Sequence, residues 1–185
     1  MNTLFDVKSL TKKNDFEKYV SDFQTPPALC KYMVSLLPKG VKSVLEPTPG
    51  IGNISAALTG YDITAPKDFF LLKQKRFDAV VMNPPFSSKY ANMENAPAGI
   101  NKHGMRLGYY ILLECMKMSD NVIALMPWFT ISDSDVRLRF LKQYGLKSLT
   151  ALPRKTFQYA RIQTVIIELN RGHIDKTIFN VYDFT

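Results

Sequence analysis

Val44-Leu45-Glu46-Pro47-Thr48-Pro49-Gly50-Ile51-Gly52-Asn53 passes from an apolar strand, through a carboxylate and a glycine-bearing turn, to the start of a helix. Glycines in such a turn let a ligand approach the backbone closely, and the amides of a helix N-terminus face the same crevice. In open α/β sheets, ligands bind in the crevice outside the carboxyl ends of the strands. The third glycine of a dinucleotide-binding GxGxxG turn is absent, because Asn53-Ile54-Ser55 follows Gly52. Glu46 is placed to accept from a cationic amine or a hydroxyl. Taken alone, the stretch reads equally well as an ordinary strand-to-helix turn.

Working outward, strand and helix patterns alternate, which predicts an α/β fold with a mostly parallel sheet. Upstream, Gln24-Thr25-Pro26-Pro27 opens a helix that runs to about Leu37, with Thr25 as its N-cap and Pro26 in its first turn. Strands are predicted over 41–46 and 77–82, and a short helix over 53–59. The run Asp78-Ala79-Val80-Val81-Met82 is apolar enough to be buried on both faces. A long polar loop, Ser87 to Arg106, follows; loops of that length in compact domains are commonly functional. Leu107, Ile111, Cys115 and Met118 form a helical stripe. Asn121 to Met126 reads as another buried strand, and Ser132 as the cap of a helix carrying Asp133 and Asp135 in its first turn. Strand-like runs at 146–152, 164–169 and 177–182 end the chain. No helix separates the last two, so they are expected to pair as an antiparallel hairpin at the sheet edge.

Length and composition bound the rest. The chain has 185 residues, close to one domain at roughly 150 residues per domain. Lys plus Arg number 24 against 16 Asp plus Glu, a net charge of +8, which favours an anionic partner such as nucleic acid. No apolar run approaches the roughly 20 residues of a membrane-spanning helix. Residues 1–8, MNTLFDVK, lack the order of a signal peptide. The two cysteines, Cys30 and Cys115, are expected to be reduced core thiols in a cytoplasmic protein. With those and two histidines, His103 and His173, no metal site is expected.

The second chemical segment is Asn83-Pro84-Pro85-Phe86, directly after the buried strand. Two prolines fix the backbone and remove two donors, which leaves carbonyls free to accept. Asn83 adds a side-chain acceptor and Phe86 an aromatic face. The set suits an amine held by two acceptors on a flat ring held by stacking. An adenine exocyclic amine is a poor nucleophile because its lone pair is delocalised into the ring. Accepting both of its N–H bonds favours a more tetrahedral nitrogen whose lone pair points at an electrophile.

Together, Glu46-Pro47-Thr48-Pro49-Gly50-Ile51-Gly52 and Asn83-Pro84-Pro85-Phe86 resemble the S-adenosylmethionine-dependent amino-methyltransferases, in particular the γ-class N6-adenine DNA methyltransferases. Phe23-Gln24-Thr25-Pro26-Pro27 upstream is similar to that class's N-terminal cofactor motif, and Lys67-Asp68-Phe69-Phe70 to its cofactor-adenine motif. The stretches 121–128 and 156–164 are similar to a later strand and a target-side loop. The resemblance spans about residues 20–170.

It implies a Rossmann-like class I methyltransferase sheet, S-adenosyl-L-methionine as cofactor, and methylation of adenine N6 in DNA, as in restriction-modification. Phe23, Thr25 and Pro26 would line the methionine end of the cofactor, and Glu46, Thr48, Gly50 and Gly52 would hold it. Asp62 would stand for the ribose acid, and Asp68 with Phe69 would read the cofactor adenine. Asn83 and the Pro84 carbonyl, fixed by Pro85, would accept from the target amine, and Phe86 would stack on an extruded base. In or near the loops after Phe86 and Phe157, Lys89, Lys102, Arg106 and Arg161 would contact nucleic-acid phosphates, giving affinity and salt dependence rather than sequence choice, and Tyr159 would offer a second ring to the base.

The chain departs from the family in two ways. Only residues 53–67 separate Gly52 from Asp68, so the second βα unit is contracted and Tyr61-Asp62-Ile63-Thr64 is its one strand candidate. No separate target-recognition domain is expected: residues 1–22 are expected to be an N-terminal extension and 23–185 a single catalytic domain. A partner subunit would then supply recognition. An RNA adenine-N6 or guanine-N2 methyltransferase, a protein-glutamine methyltransferase and a non-catalytic binding module stay open as alternatives.

Overall fold

The computed structural model describes residues 23–73, 75–86, 91, 93–100, 106–157 and 162–183. The expected N-terminal extension, 1–22, lies outside them. The elements run α1 (Pro27–Ser35), β1 (Ser43–Leu45), α2 (Asn53–Ala57), β2 (Asp62–Thr64), a 3-10 turn (Phe69–Leu71), β3 (Ala79–Met82), α3 (Arg106–Met118), β4 (Asn121–Pro127), α4 (Phe129–Ser132), α5 (Asp135–Tyr144), β5 (Leu146–Ala151), a second 3-10 turn (Arg154–Thr156), β6 (Thr164–Asn170) and β7 (Ile178–Val181).

Seven strands form one sheet in the order β2-β1-β3-β4-β6-β5-β7. The β2-β1-β3-β4 half is parallel, and β6 is antiparallel to both β4 and β5. Successive strand residues bury on opposite faces, as the period-2 geometry of a strand requires. Val80 and Met82 of β3, with Val122, Ala124 and Met126 of β4, pack with Leu107, Ile111, Leu112 and Cys115 of α3. Ala79, Val81, Ile123 and Leu125 point the other way, onto Leu29, Cys30 and Met33 of α1 and Ile54 of α2. The result is three layers with helices on both faces, which is why β3 and β4 are continuous apolar runs.

The expected helical stripe on α3 is buried throughout, and both cysteines are free and buried. The second βα unit is contracted as expected: β2 has three residues and leads into a 3-10 turn, with no α-helix before β3.

Three expectations are corrected. The last two strands do not pair with each other. Both edges of β6 are taken, by β4 and β5, so β7 pairs instead with the free edge of β5, in parallel, Ser148 opposite Ile178. The chain does reverse direction after β6, but β5 lies between. Thr25 does not cap α1. Pro26 occupies the cap position without a side-chain hydrogen bond, and the Thr25 hydroxyl faces elsewhere. Ser134, not Ser132, caps α5, accepting from the Arg137 amide at 3.3 Å, because Ser132 is taken up in the short α4.

Candidate active site

The sheet order reverses between β1 and β3: the chain leaves β1 for β2 on one side and then crosses to β3 on the other. At such a switch point the loops leaving the two strands diverge and open a crevice. Here those loops are 46–52 and Asn83–Phe86, the two stretches singled out above. They border one cavity of about 570 Å³, within the range of small-molecule sites.

Of the expected site residues, Phe23, Thr25, Glu46, Thr48, Gly50, Asp68, Phe69, Asn83, Pro84, Pro85 and Phe86 line that cavity. Pro26, Gly52 and Asp62 do not. Pro26 is occupied in opening α1, and Gly52 opens α2 with φ +88°. Asp62 is a correction with a geometric cause: it pairs with Ser43 at the amino end of the parallel β2, whereas the crevice lies beyond the carboxyl end, past Thr64. The two positions are roughly 7 Å of strand apart. Lys89, Lys102, Tyr159 and Arg161 fall outside the described residues; of Arg106 only the backbone is described, as the first residue of α3.

At the first loop, Gly50 adopts φ +57° and a Cβ there would fall 2.4 Å from the Gln24 side-chain oxygen. That oxygen accepts from the Ile51 amide at 3.2 Å. The Asn53 side-chain amide donates to the Thr25 carbonyl at 2.9 Å. Residues 24 and 25 are thereby pinned to the glycine turn, a tertiary link for which the sequence offers only proximity of motifs.

Glu46 is 1% exposed, and its carboxylate accepts from the Ser55 hydroxyl. Burial pushes its carboxyl above the usual carboxylate range, and the Ser55 bonds offset part of that. Burial also raises the Cys30 thiol to about 11, with the Glu46 charge adding to it. Among the described residues no lysine or arginine pairs with Glu46. A buried carboxylate without a cation is costly, and a ligand ammonium would offset that cost.

The linkage follows in sign. A carboxyl whose folded pKa is raised destabilises the fold once ionised; the cost is absent below the ordinary carboxylate range and complete above the raised value. Glu46→Gln, which keeps the acceptor for Ser55, is therefore expected to melt no lower than the parent at neutral pH, with the difference closing on acidification. A lower melting temperature for the glutamine variant at neutral pH would contradict this account of Glu46.

Around the other end, Asp68 caps the 3-10 turn, accepting from the Phe70 amide at 2.9 Å. Its second oxygen accepts from the Asn95 side chain, also at 2.9 Å, so the loop after Phe86 returns to this end of the cavity. Phe69 is buried with its ring edge-on to Phe70 at 5.8 Å, and both, with Ile54, supply flat apolar walls.

The Asn83 side chain has the most determined geometry in the site. Its Nδ2 donates to the Phe23 carbonyl at 3.1 Å and to the Thr25 Oγ1 at 3.0 Å. A carbonyl can only accept, so the amide nitrogen must face residues 23–25 and Oδ1 must face away. The Asn83 backbone carbonyl accepts from the Thr48 hydroxyl at 3.2 Å. No described residue donates to Oδ1 or to the Pro84 carbonyl. With Asn83, Pro84 and Phe86 all lining the cavity, its wall combines two acceptors that take no bond from a described donor with an aromatic ring, a set that suits an N–H₂ group on a planar ring.

Sequence reading missed Gly108. Its α-carbon lies against the Asn83–Phe86 loop: an added Cβ would sit 3.3 Å from the Pro85 carbonyl oxygen and 3.5 Å from the Pro84 ring. Gly108→Ala should favour α3 by about 1 kcal/mol through helix propensity. It should nonetheless displace the rigid Pro-Pro backbone by a few tenths of an ångström. The expected result is an unchanged or raised melting temperature with weaker binding of a base at Phe86; a variant that loses neither would remove Gly108 from the site. Leu107 and Ile111 of the α3 stripe also line the cavity, as does Phe157 from the expected target-side loop. Trp128, directly after β4, does not: it packs edge-on against Phe179 at 6.3 Å.

The fold with its crevice at this switch point is the Rossmann-like class I methyltransferase architecture. Solved structures with this fold include a proposed class I S-adenosylmethionine-dependent methyltransferase from Listeria monocytogenes, at TM-score 0.63 and 15% identity over 96% of this chain and 75% of that one. A modification subunit of a proposed type I restriction enzyme from Vibrio vulnificus superposes at TM-score 0.65 and 17% identity, over 100% of this chain and 54% of that one. The type I restriction-modification methyltransferase subunit from Streptococcus thermophilus gives 0.63 and 14%, over 91% and 50%. The chain thus spans about half the length of the two type I subunits. No protein-family model and no curated protein matches the sequence.

Proposed function

We propose that this protein is an S-adenosylmethionine-dependent methyltransferase acting on the exocyclic N6 amine of adenine in DNA. The observation that carries the reading is the oriented Asn83 amide, its nitrogen spent on Phe23 and Thr25 and its oxygen free of described donors, on a cavity wall shared with Pro84 and Phe86.

The residues present fit the cofactor. One cavity is lined both by Glu46 and Thr48, which would hold the methionine end, and by Asp68 and Phe69, which would hold the adenine. The uncompensated carboxylate of Glu46 suits the methionine ammonium. No carboxylate at the end of β2 stands ready for the ribose, a consequence of the contracted unit. When bound, S-adenosylmethionine supplies an electrophilic methyl group.

The chain's own residues do the rest by position. The Phe86 face would hold the base, and Asn83 Oδ1 with the Pro84 carbonyl would accept its two N–H bonds. Accepting both localises the lone pair on nitrogen, which is electrostatic stabilisation in a water-poor site. The nitrogen becomes acidic only on alkylation, so release of its proton requires no dedicated base in the resting site.

DNA is favoured over RNA by the company of type I modification and methyltransferase subunits, while the +8 charge suits either polyanion. Recognition of a particular DNA sequence would come from a partner subunit. The test is methyl-labelled S-adenosylmethionine incubated with the protein and, separately, with unmethylated DNA, RNA and a protein extract. Label in DNA is expected. Label in RNA alone would move the reading to an RNA enzyme. No label in any polymer, with no calorimetric heat of cofactor binding, would overturn it in favour of a non-catalytic module.

A further inference from the structure

A primary amide presents a donor edge and an acceptor edge of nearly equal shape, and only its surroundings decide which edge faces a substrate. At Asn83 the Phe23 carbonyl decides which end is nitrogen, but a single acceptor leaves the amide plane free to swing about the side-chain bond. The second acceptor, the Thr25 hydroxyl at 3.0 Å, fixes the plane.

Thr25 is itself firmly held. Its side chain is 3% exposed, its carbonyl accepts from the Asn53 amide at 2.9 Å and from the Cys30 thiol at 3.4 Å, and Pro26 stiffens the chain after it. Asn53 begins the helix that leaves the glycine turn. A continuous hydrogen-bonded line, Asn53 to Thr25 to Asn83, therefore joins the turn after β1 to the loop after β3.

We infer that Thr25 is a positioning residue for Asn83: its hydroxyl oxygen, anchored through Thr25 to the glycine turn, holds the Asn83 amide in the plane that aims Oδ1 at a substrate amine. This deepens the methyltransferase reading and rests on it for its kinetic consequence, though the hydrogen bond itself does not depend on that reading. The role differs from a direct hold on the cofactor, since the hydroxyl accepts from Asn83.

The test compares Thr25→Val, which keeps shape and burial but removes the acceptor, with Thr25→Ser, which restores it. Positioning losses of this kind cost roughly ten- to a hundredfold in turnover. Thr25→Val is expected to lower turnover by at least about tenfold at saturating cofactor. Its dissociation constant for S-adenosylmethionine, by calorimetry, should stay within about threefold of the parent, well inside the turnover loss. Thr25→Ser should recover most of the rate. Equal losses in cofactor affinity and turnover, or a serine variant as slow as the valine one, would overturn the inference.

A readout independent of catalysis separates this proposal from the functional one. The Asn83 side-chain N–H signals in a nitrogen-15 spectrum, identified by their disappearance in Asn83→Ala, should shift and exchange faster with solvent in Thr25→Val. Unmoved signals would overturn the positioning role even if the enzyme is active. Shifted signals in a protein that labels no polymer would sustain the positioning and sink the methyltransferase reading instead.

Discussion

Asn83→Ala is expected to abolish methyl transfer, a loss of at least about a hundredfold, while S-adenosylmethionine still binds within a few-fold of the parent. The magnitude follows from removing one preorganised polar group aimed at the reacting centre, which typically costs 10²–10³ in turnover. The split between rate and affinity follows from geometry. The side chain of Asn83 reaches the 23–25 segment only through Nδ2, and residues 24 and 25 are separately tied to the turn by Ile51 and Asn53. Those ties survive the substitution, so the cofactor end of the cavity should persist. Turnover and calorimetry on the same preparation check it. Equal losses of binding and turnover would show that Asn83 holds the pocket together rather than the substrate amine.

The second large effect is expected at Phe86. Stacking of a base on an aromatic ring is worth roughly 1–3 kcal/mol, so Phe86→Ala should weaken binding of a single-stranded oligonucleotide by roughly 5- to 150-fold. Phe86 also packs on the apolar layer beneath the sheet, so truncation alone confounds stacking with stability. Phe86→Leu separates them: it keeps apolar contact and lacks the ring face. Both variants should lose oligonucleotide affinity, and only the alanine variant should melt appreciably lower. A leucine variant that binds as well as the parent would return Phe86 to the core.

Much of this was legible in the residues because the two informative stretches are local. A strand, a carboxylate and a glycine turn need only neighbours in sequence to declare themselves, and so does a rigid Asn-Pro-Pro-Phe after an apolar run. That both loops meet at one crevice was implied only by the resemblance; it rests on the order β2-β1-β3, which strand alternation alone does not give. What was not legible depended on partners far along the chain. Thr25 has the composition of a helix cap, yet Asn83, distant in sequence, takes its hydroxyl. Gly108 is an unremarked helical residue until the Pro84-Pro85 backbone is laid against it. The neighbour of β7 could not be read from its own alternation, because β5 had first claimed the outer edge of β6. Asp62 differs for the opposite reason: the strand was correctly found, but the carboxylate stands at its amino end, and the crevice opens past its carboxyl end.

Under the proposed function, wider recognition would rest on surfaces that the cavity does not include. Arg154 and Lys155 lie in the 3-10 turn just before Phe157, which lines the cavity, and both are exposed. Cations beside a base pocket favour an anionic strand passing its mouth, with the salt dependence that counterion release brings.

The central claim is that the Asn83 amide and the Pro84 carbonyl present an acceptor pair to an adenine amine. The most direct test is to incubate unmethylated DNA with the protein and S-adenosylmethionine, digest it to nucleosides and separate them by chromatography with mass detection. The account predicts N6-methyladenine from the parent protein and none from Asn83→Ala. Methylation on a different base or position, or N6-methyladenine formed equally by the alanine variant, would contradict it.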